Sequence, residues 1–340
     1  FATDWYIDQM KRKAYDSDPI PSQLSHDKYR YGTRDAVYYQ KLTDSRWNIK
    51  DFMDWIGSDK PQTKFKHLFE KQGRDISEYP KSTQEIVYYP TNKIRIPVNK
   101  QNVLESGLVK PKDADLILDY IDIDLPESAL PKNRILMLDI IANNDWKRPI
   151  YFSGGSFDNA EYIWMKEYLQ LDGLVYKLVP IKTKNSSPFE MGRIDTELMY
   201  DIVKKWEWGN ASSHDIYHAT QPRSQGLSFR SNLARLMEQL IAEEKIEKAK
   251  EVIEITMTNT PFEYFGFYAF VEPFLDGYYK VGEQQKAHEL FEKLKKVYQE
   301  RLDYYAGIPR DEQYEKLEDI LTDMEAYRRN IDILLRNRDR

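Results

Sequence analysis

The chain has 340 residues, a net charge of −6, 41% hydrophobic residues and 31% charged residues. This balance is typical of a globular protein with room for about two domains of ~150 residues each. The mild negative charge argues against nucleic acid as a main partner, because phosphate binding needs a concentrated basic face. The absence of cysteine excludes disulfides, thiolate metal sites and cysteine nucleophiles.

The first part of the chain predicts short helices. Residues 4–16 have a helical pattern, as do the segments NIKDFMDWIGS and TKFKHLFEKQG. Asn48 and Ser58 suit the two ends of the helix in the first of these segments. Between them and the N-terminal helix, residues 16–32 are polar and contain two prolines, which predicts a surface loop.

The pattern then changes to alternation. Residues 85–98 alternate on either side of a Pro-Thr-Asn sequence, which predicts a β-hairpin. Pro97 places the second strand of this hairpin at a sheet edge, because proline cannot donate to a ladder. Residues 121–126 predict another short strand, and KNRILMLDIIANND predicts a helix buried against a sheet.

An α/β domain is predicted over residues 1–182. After the buried helix come a strand at 149–152, a Ser-Gly-Gly-Ser turn, a helix around NAEYIWMKEYLQL and a strand at 174–181. Alternation of helices and strands with short connections is typical of α/β folds and favours a right-handed crossover.

The turn at Ser153, Gly154, Gly155 and Ser156 is a candidate ligand site. Backbone amides at the start of a helix bind anions, so this turn is suited to a phosphate or sugar-phosphate group. The sequence contains no dinucleotide-binding glycine motif and no Walker lysine motif here. A plain structural corner is therefore the competing interpretation.

An all-α domain resembling tetratricopeptide repeats is predicted over residues 195–340, after a linker at 183–194. LMEQLIAEEKIEKAKEVIEITMTNTP and LDGYYKVGEQQKAHELFEKLKKVY share a helical-hairpin pattern, in which Ala249 and Ala287 are equivalent and thirty-eight residues apart. The usual period is about 34 residues, so extra residues are expected around PFEYFGFYAF. Gly282 suits the turn between two helices.

The last helix predicts one apolar seam. The seam members recur at three- and four-residue steps, and they are Leu317, Ile320, Met324, Tyr327, Ile331 and Leu334. The seam is expected to cap the helical stack, and a dimeric coiled coil is the alternative.

Aromatic residues between the two hairpins are a candidate partner surface, and they are Tyr264, Phe265, Phe267 and Tyr268. Helical repeats stack into concave faces that hold extended chains, and aromatic side chains suit such contacts. Core packing is the competing role. His214 and His218 with Asp215 are spaced for a shared metal only if they lie on a helix, which the polar surroundings disfavour, so neither a metal nor a cofactor is predicted.

Three stretches, at residues 3–21, 89–115 and 138–155, resemble the soluble C-terminal portion of a bacterial membrane protein family, domain of unknown function 2723. That family is related to glycosyltransferase family 117, the protein O-mannosyltransferase-like enzymes of the GT-C type. The motif residues to which structural roles are assigned are Asp4, Trp5, Tyr6, Trp146, Arg148 and Pro149. Arg148 is expected to pair with Asp145 or Asp158, and Trp146 to pack under a neighbouring helix.

The resemblance implies a position in a larger protein. Membrane spans and a catalytic acid are expected upstream of Phe1, so no catalytic residue is assigned here. The implied role is an extracytoplasmic, non-catalytic portion on the periplasmic face of the inner membrane that binds or positions a protein or glycan acceptor. Its implied partner is the membrane-embedded half of the same polypeptide. The resemblance also implies that a strand before the TDWY stretch belongs to the α/β domain and completes its sheet.

Two other functions remain open at this point. One is a self-contained enzyme that acts on a sugar or nucleotide at the Ser153–Ser156 turn. The other is a purely structural module that stiffens the membrane half.

Overall fold

In a computed structural model of the chain, the described residues are 3–14, 16–153, 162–184, 190–213 and 215–337. The chain divides into two compact units. The first unit contains the residues up to Gln170 together with Tyr176–Arg193, and the helical unit contains Leu171–Val175 together with Ile194–Arg340. None of the helices in the described ranges combines the length and the apolar character that crossing a bilayer requires.

The first unit contains short helices and strands. Its helices are α1 (Asp4–Met10), α2 (His26–Tyr29), α3 (Ile49–Gly57), α4 (Phe65–Lys71), α5 (Lys81–Gln84), α6 (Lys100–Glu105) and α7 (Lys132–Asn144). The strands are β1 (Ala36–Tyr39), β2 (Trp47–Asn48), β3 (Tyr88–Tyr89), β4 (Lys93–Pro97), β5 (Tyr120–Asp124), β6 (Ala129–Pro131), β7 (Tyr151–Ser153), β8 (Leu169–Asp172) and β9 (Val175–Leu178). The last two residues of β8 and the first residue of β9 are assigned to the helical unit. Short 3₁₀ helices lie at Pro61–Thr63, Ile76–Glu78, Pro111–Leu116 and Ile163–Tyr168.

These strands form small mixed sheets instead of the one sheet with a parallel crossover that α/β alternation predicts. The described strands make three sheets of three, in the orders β3-β1-β6, β2-β4-β5 and β7-β9-β8. β1 pairs with β3 in parallel and with β6 antiparallel, and β4 pairs with β2 in parallel and with β5 antiparallel. The prediction that the N-terminal half of the chain contains both helices and strands is confirmed. Its described strands, however, belong to three small sheets and not to one.

The predicted hairpin at residues 85–98 is wrong. Both strands exist, but β3 pairs with β1 and β4 pairs with β2 and β5, so the two belong to different sheets. β4 is also a central strand, contrary to the edge position predicted from Pro97. Proline is tolerated because β2 pairs only with Ile94 and Arg95, so the ladder on that side ends before Pro97 is reached.

The predicted helix around residues 159–171 is also wrong within its described part. A 3₁₀ helix covers Ile163–Tyr168, and the chain then enters β8, whose four residues are all buried. A short, fully buried segment lacks the one-sided periodicity that separates a strand from a helix. For such a segment, length is the better criterion for telling a strand from a helix, and four buried residues are typical of a strand.

Helix α3 begins and ends where the sequence predicts. The Asn48 side chain accepts a hydrogen bond from the Lys50 backbone N–H at 2.9 Å, and Ser58 follows the last turn. This contact satisfies one of the free amides at the start of the helix. The inward face of α3 places Phe52 and Ile56 in the core of the first unit.

The predicted surface loop at residues 16–32 is anchored to the core. Asp139 on α7 is fully buried and accepts hydrogen bonds from the Ser22 hydroxyl and from the backbone amides of Gln23 and Leu24. Burial raises the pKa of this carboxyl, although these donors oppose the shift. Polar composition therefore did not indicate how the loop is fixed. Its position depends on hydrogen bonds to one buried carboxylate more than a hundred residues away in the chain.

The helical unit contains longer helices. They are α8 (Thr196–Val203), α9 (Thr220–Ala242), α10 (Ile246–Asn259), α11 (Phe262–Phe265), α12 (Glu272–Lys280), α13 (Gln284–Gly307), α14 (Arg310–Glu315) and α15 (Leu317–Arg336), with a 3₁₀ helix at Tyr268–Phe270. Two residues at the end of the predicted linker make tertiary contacts: Met191 is buried, and the Arg193 guanidinium lies 2.7 Å from the Asp113 carboxylate. The proposed domain boundaries at 182 and 195 stay predictions.

Two helical hairpins repeat the same turn. In α9–α10 the backbone N–H groups of Glu244 and Lys245 donate to Ile241 and Leu240, and in α12–α13 those of Gly282 and Glu283 donate to Tyr279 and Tyr278. Each contact recurs thirty-eight residues later. The equivalent alanines, Ala249 and Ala287, are both fully buried on the fourth residue of their helix, where a small side chain lets paired helices approach closely.

Candidate binding groove in the helical unit

The four predicted partner-surface aromatics have different environments. Tyr264 is half-buried and lines a groove, whereas Phe265 is buried. Phe267 is 40% exposed and has a left-handed backbone conformation. Tyr268 packs edge-on against Tyr298 of α13 at 6.3 Å between ring centroids. Of these four, Tyr264 alone lines the groove, and core packing accounts for Phe265.

A buried arginine holds the segment that carries these aromatics. Arg230 on α9 has no exposed surface, and its guanidinium donates to the carbonyl oxygens of Thr260 and Gly266 at 2.7 and 2.5 Å. Burial lowers the pKa of this guanidinium to about 10. The charge is stabilised by carbonyl dipoles at both ends of the loop, so Arg230 fixes where the loop lies. Sequence reasoning missed this residue.

A glycine on the same helix makes room for Phe265. A Cβ atom at Gly226 would lie 2.6 Å from the Phe265 ring, closer than real contacts allow. The ring therefore packs directly on the α9 backbone, with His218 5.4 Å from it. His218 also stacks on Tyr264, with centroids 5.6 Å apart and planes 9° apart. Gly226 thus seats Phe265, and His218 and Phe265 together orient Tyr264 at the groove.

The groove has a cavity volume of about 760 Å³, within the range of sites that hold small ligands or short peptide segments. Its apolar part contains Met257, Pro261, Phe262, Tyr264, Tyr278 and Leu290, and its polar part contains Ser212, Thr258, Glu263, Lys286, Glu289 and Lys293. We call these twelve residues the helical groove. Aromatic and aliphatic surface beside charged groups is suited to an amphipathic partner.

The charges of the helical groove are arranged in pairs. Lys286 lies 2.8 Å from Glu254, and Lys293 lies 3.7 Å from Glu263. The Tyr278 hydroxyl donates to the same Glu254 at 3.3 Å, and burial raises the pKa of that phenol. Because these pairs are partly exposed, a partner with its own charges can exchange with them at little cost.

The predicted ligand turn is described only at its first residue. Ser153 ends β7, is exposed, and accepts a hydrogen bond from the Tyr162 hydroxyl at 2.6 Å through its carbonyl. Gly154, Gly155 and Ser156 lie outside the described residues. His214 does too, so the His214–His218 pair is also untested. In the described ranges, no group of three histidine or acidic side chains is placed to hold a metal ion.

The N-terminal motif residues lie on α1. Asp4 accepts a hydrogen bond from the Trp5 backbone N–H at 2.9 Å and one from Tyr31 at 3.3 Å. Trp5 is 65% exposed and lies edge-on to Tyr6, which is also exposed. Asp4 therefore has a structural role, whereas the Trp5 ring presents apolar surface to solvent.

The second motif closes the end of α7. Trp146 is buried, with φ of +59°, and its indole N–H donates to the Pro97 carbonyl at 2.8 Å. Arg148 donates to the carbonyls of Asp18 and Pro19, so its expected pairing with Asp145 is wrong, and Asp158 lies outside the described residues. Pro149 is exposed just before β7. These backbone contacts join α7 to β4 and to the N-terminal loop.

A second concavity lies in the first unit and was not predicted. It has a volume of about 820 Å³ and includes Arg46, Asp122, Asp124, Trp164 and Glu167 among its lining residues. Arg46 contacts both aspartates, at 3.4 and 3.1 Å. The indole N–H of Trp164 is shielded from solvent and has no hydrogen-bond acceptor among the described residues.

Comparison with protein families decides the classification. The family model described as TMEM260-associated domain 2 matches residues 1–198. The chain belongs to the TMEM260-associated domain 2 family. The match contains all three stretches that carry the resemblance noted in the sequence, and it ends within α8. The helical groove therefore lies beyond the TMEM260-associated domain 2 match. No curated protein and no solved structure matches the chain.

Proposed function

We propose that this chain is the extracytoplasmic, non-catalytic portion of a GT-C-type membrane glycosyltransferase of the domain of unknown function 2723 and glycosyltransferase family 117 class. In this proposal it faces the periplasm and is joined to a membrane-embedded half of the same polypeptide. Its task is to bind or position a protein or glycan acceptor, and the chemistry of O-mannosylation belongs to the membrane half.

The helical groove is the observation that carries the proposal. It combines about 760 Å³ of open volume with an apolar wall and a row of paired charges. Lys286 and Lys293 are seven residues apart on α13, so they follow one face of that helix. An extended polypeptide can place apolar side chains against the half-buried Met257 and Tyr264 while its polar groups meet the two lysines.

The repeated turns support an interaction role. The hairpins α9–α10 and α12–α13 share their turn hydrogen bonds at an offset of thirty-eight residues, and α11 and the 3₁₀ helix at Tyr268–Phe270 lie between them. We interpret the hairpins as tetratricopeptide-like repeats with an insertion. Stacked repeats of this kind use their concave faces to hold peptides.

Binding of an extended peptide tests the proposal directly. A fluorescent peptide rich in serine and threonine, with interspersed apolar residues, is titrated against the full chain and followed by fluorescence anisotropy. Tyr264→Ala should weaken binding at least about tenfold, because central aromatic contacts dominate such interfaces. Lys293→Glu should weaken binding of an acidic version of the peptide more than that of a neutral version.

The matched control is Phe270→Ala. Phe270 is 42% exposed in the same segment but does not line the helical groove, so its loss should leave binding unchanged. Equal losses in both aromatic variants would contradict the groove as the binding site. Transfer or hydrolysis of a nucleotide sugar by the purified chain would instead favour the self-contained enzyme.

A further inference from the structure

Helix α15 has two apolar faces, where the sequence predicts one seam. The inward face contains buried Ala326 and Ile333. On the same face, Tyr327 stacks on Tyr298 of α13, with 6.0 Å between ring centroids, and α15 packs against α13. Ile320 and Leu334 are half-buried on the same side. The other members of the predicted seam, Leu317, Met324 and Ile331, point elsewhere.

The second face is largely exposed and regularly spaced. Its members, which we call the outer seam, are Leu317, Leu321, Met324, Arg328, Ile331 and Leu335. Four of its five apolar side chains are 48 to 58% exposed, and Ile331 is half-buried. The steps of four, three, four, three and four residues are those of a coiled-coil seam. Five large apolar residues in one exposed line mark an interaction surface.

The outer seam matches itself when a second copy is placed antiparallel. In the register centred on Ala326, Leu317 meets Leu335 of the second copy and Leu321 meets its Ile331. Met324 then meets Arg328, whose aliphatic stem can cover the methionine. Every member of the outer seam has a counterpart, as a two-fold interface requires.

Charge selects this direction over a parallel pairing. A parallel pair would place Arg328 against Arg328 at the same level of the seam. The antiparallel register instead places Arg328 beside Glu325 of the second copy, twice around the two-fold axis. Among the described residues neither side chain makes an ion pair or hydrogen bond, and both are exposed. At the solvated rim, Glu318 faces Asp332 of the second copy and Glu325 faces Glu325 of the second copy. Repulsion there is weak, and Arg328 beside each Glu325 offsets the second contact.

We propose that two copies of this chain form a dimer through antiparallel packing of α15 along the outer seam. The proposal does not depend on acceptor binding in the helical groove. It uses residues that contribute little to the core, so variants at the outer seam should fold normally.

Disulfide trapping tests the register, since the chain has no cysteine of its own. Positions 317 and 335 are about 27 Å apart along one helix at 1.5 Å per residue, so they cannot be joined within one chain. The double variant Leu317→Cys, Leu335→Cys should form a covalent dimer under mild oxidation. Each single variant should stay monomeric on a non-reducing gel. Crosslinking of the single variants would overturn the antiparallel register.

A charge exchange tests the pairing without new covalent bonds. Sedimentation equilibrium of the full chain should show a dimer, and Arg328→Glu or Glu325→Arg should raise its dissociation constant at least about tenfold through like-charge contacts. The double exchange E325R with R328E should recover most of the loss. Lys296→Glu, an exposed charge reversal on α13, should have no effect. A monomer at all concentrations, or failure of the double exchange to recover, would overturn the proposal.

Discussion

The contacts that stabilise the first unit join residues far apart in the chain, whereas those that stabilise the turns of the helical unit join residues close together in the chain. In the first unit, Asp139 binds residues 22–24, Arg148 binds Asp18 and Pro19, and Trp146 binds Pro97. In the helical unit, the turns of the two hairpins are closed by hydrogen bonds between residues only a few positions apart. A destabilising substitution should therefore affect the whole first unit, whereas in the helical unit its effect should stay within one hairpin.

The largest effect is expected at a long-range junction of the first unit. Gly192 has φ of +67°, and a Cβ atom there would lie 1.9 Å from the Leu169 carbonyl oxygen. Because that obstacle is backbone in a buried strand, Gly192→Ala should cost about 3 kcal/mol or more from strain and overpacking. Chemical denaturation followed by tryptophan fluorescence measures the free energy of unfolding.

Gly107→Ala is the matched control for this prediction. Gly107 has the same φ of +67° but open space around the missing Cβ atom. It should cost only the backbone term of about 1 to 2 kcal/mol. Similar losses in the two variants would show that backbone conformation, and not the contact with Leu169, makes Gly192 necessary.

The difference between contacts that are local in the chain and contacts between distant residues also explains which features the sequence predicts well. Ala249, Ala287 and Gly282 report on helical hairpins because their neighbours in space are also neighbours in the chain. The pairing of β1 with β6 joins Val37 to Leu130, and nothing local to either strand specifies it. β1 and β6 were not predicted as strands, and for β3 and β4, which were, the partner strands depended on packing among distant elements.

The same difference separates the residues of the candidate groove that were predicted from the supporting residues that were missed. Tyr264 was predicted as a surface contact because an aromatic cluster between two hairpins is visible in the sequence. Arg230 and Gly226 were missed because each lies in α9, and its role depends on a loop thirty or more residues later. An arginine in a polar helical stretch has no sequence signal for burial. A glycine inside a helix is the one signal that would have indicated close packing.

Arg230 offers the strongest test within the helical unit. Arg230→Met keeps much of the side-chain volume but leaves the carbonyls of Thr260 and Gly266 without their donor. We expect a loss of about 3 kcal/mol, as buried acceptors lose their partner. Arg230→Lys should recover part of it, since one ammonium cannot reach both carbonyls. Arg310→Met, at an exposed position, should be neutral.

The location of this loss also distinguishes the units. Hydrogen exchange measured on Arg230→Met should speed up in α9 and α11, because Arg230 joins α9 to the carbonyls on either side of α11, while amides of the α12–α13 hairpin and of the first unit keep their protection. Loss of amide protection throughout the chain would contradict the expectation that the destabilisation stays within one hairpin.

A smaller effect is expected from acid. Hydrogen bonds from Lys245 and Lys248 lower the pKa of Glu197 to about 2. A carboxyl whose folded pKa is below its unfolded value near 4.5 contributes stability above that value and loses it as the pH falls toward 2. Glu197→Gln should therefore flatten the acid dependence of stability between about pH 4.5 and 2. An unchanged slope would mean that solvent screens these partly exposed pairs completely.

The smallest effect distinguishes the two hairpins from each other. Glu244 and Gly282 occupy the same turn position, with φ of +58° and +85°, but only glycine adopts this conformation without strain. Glu244 is exposed and makes no side-chain ion pair or hydrogen bond among the described residues, so Glu244→Gly removes strain without removing such a contact. It should stabilise the chain by about 0.5 to 1 kcal/mol, whereas Gly282→Ala should destabilise it by a similar amount. Thermal unfolding of both variants measures the pair, and a destabilised Glu244→Gly variant would mean that the two turns are not energetically equivalent.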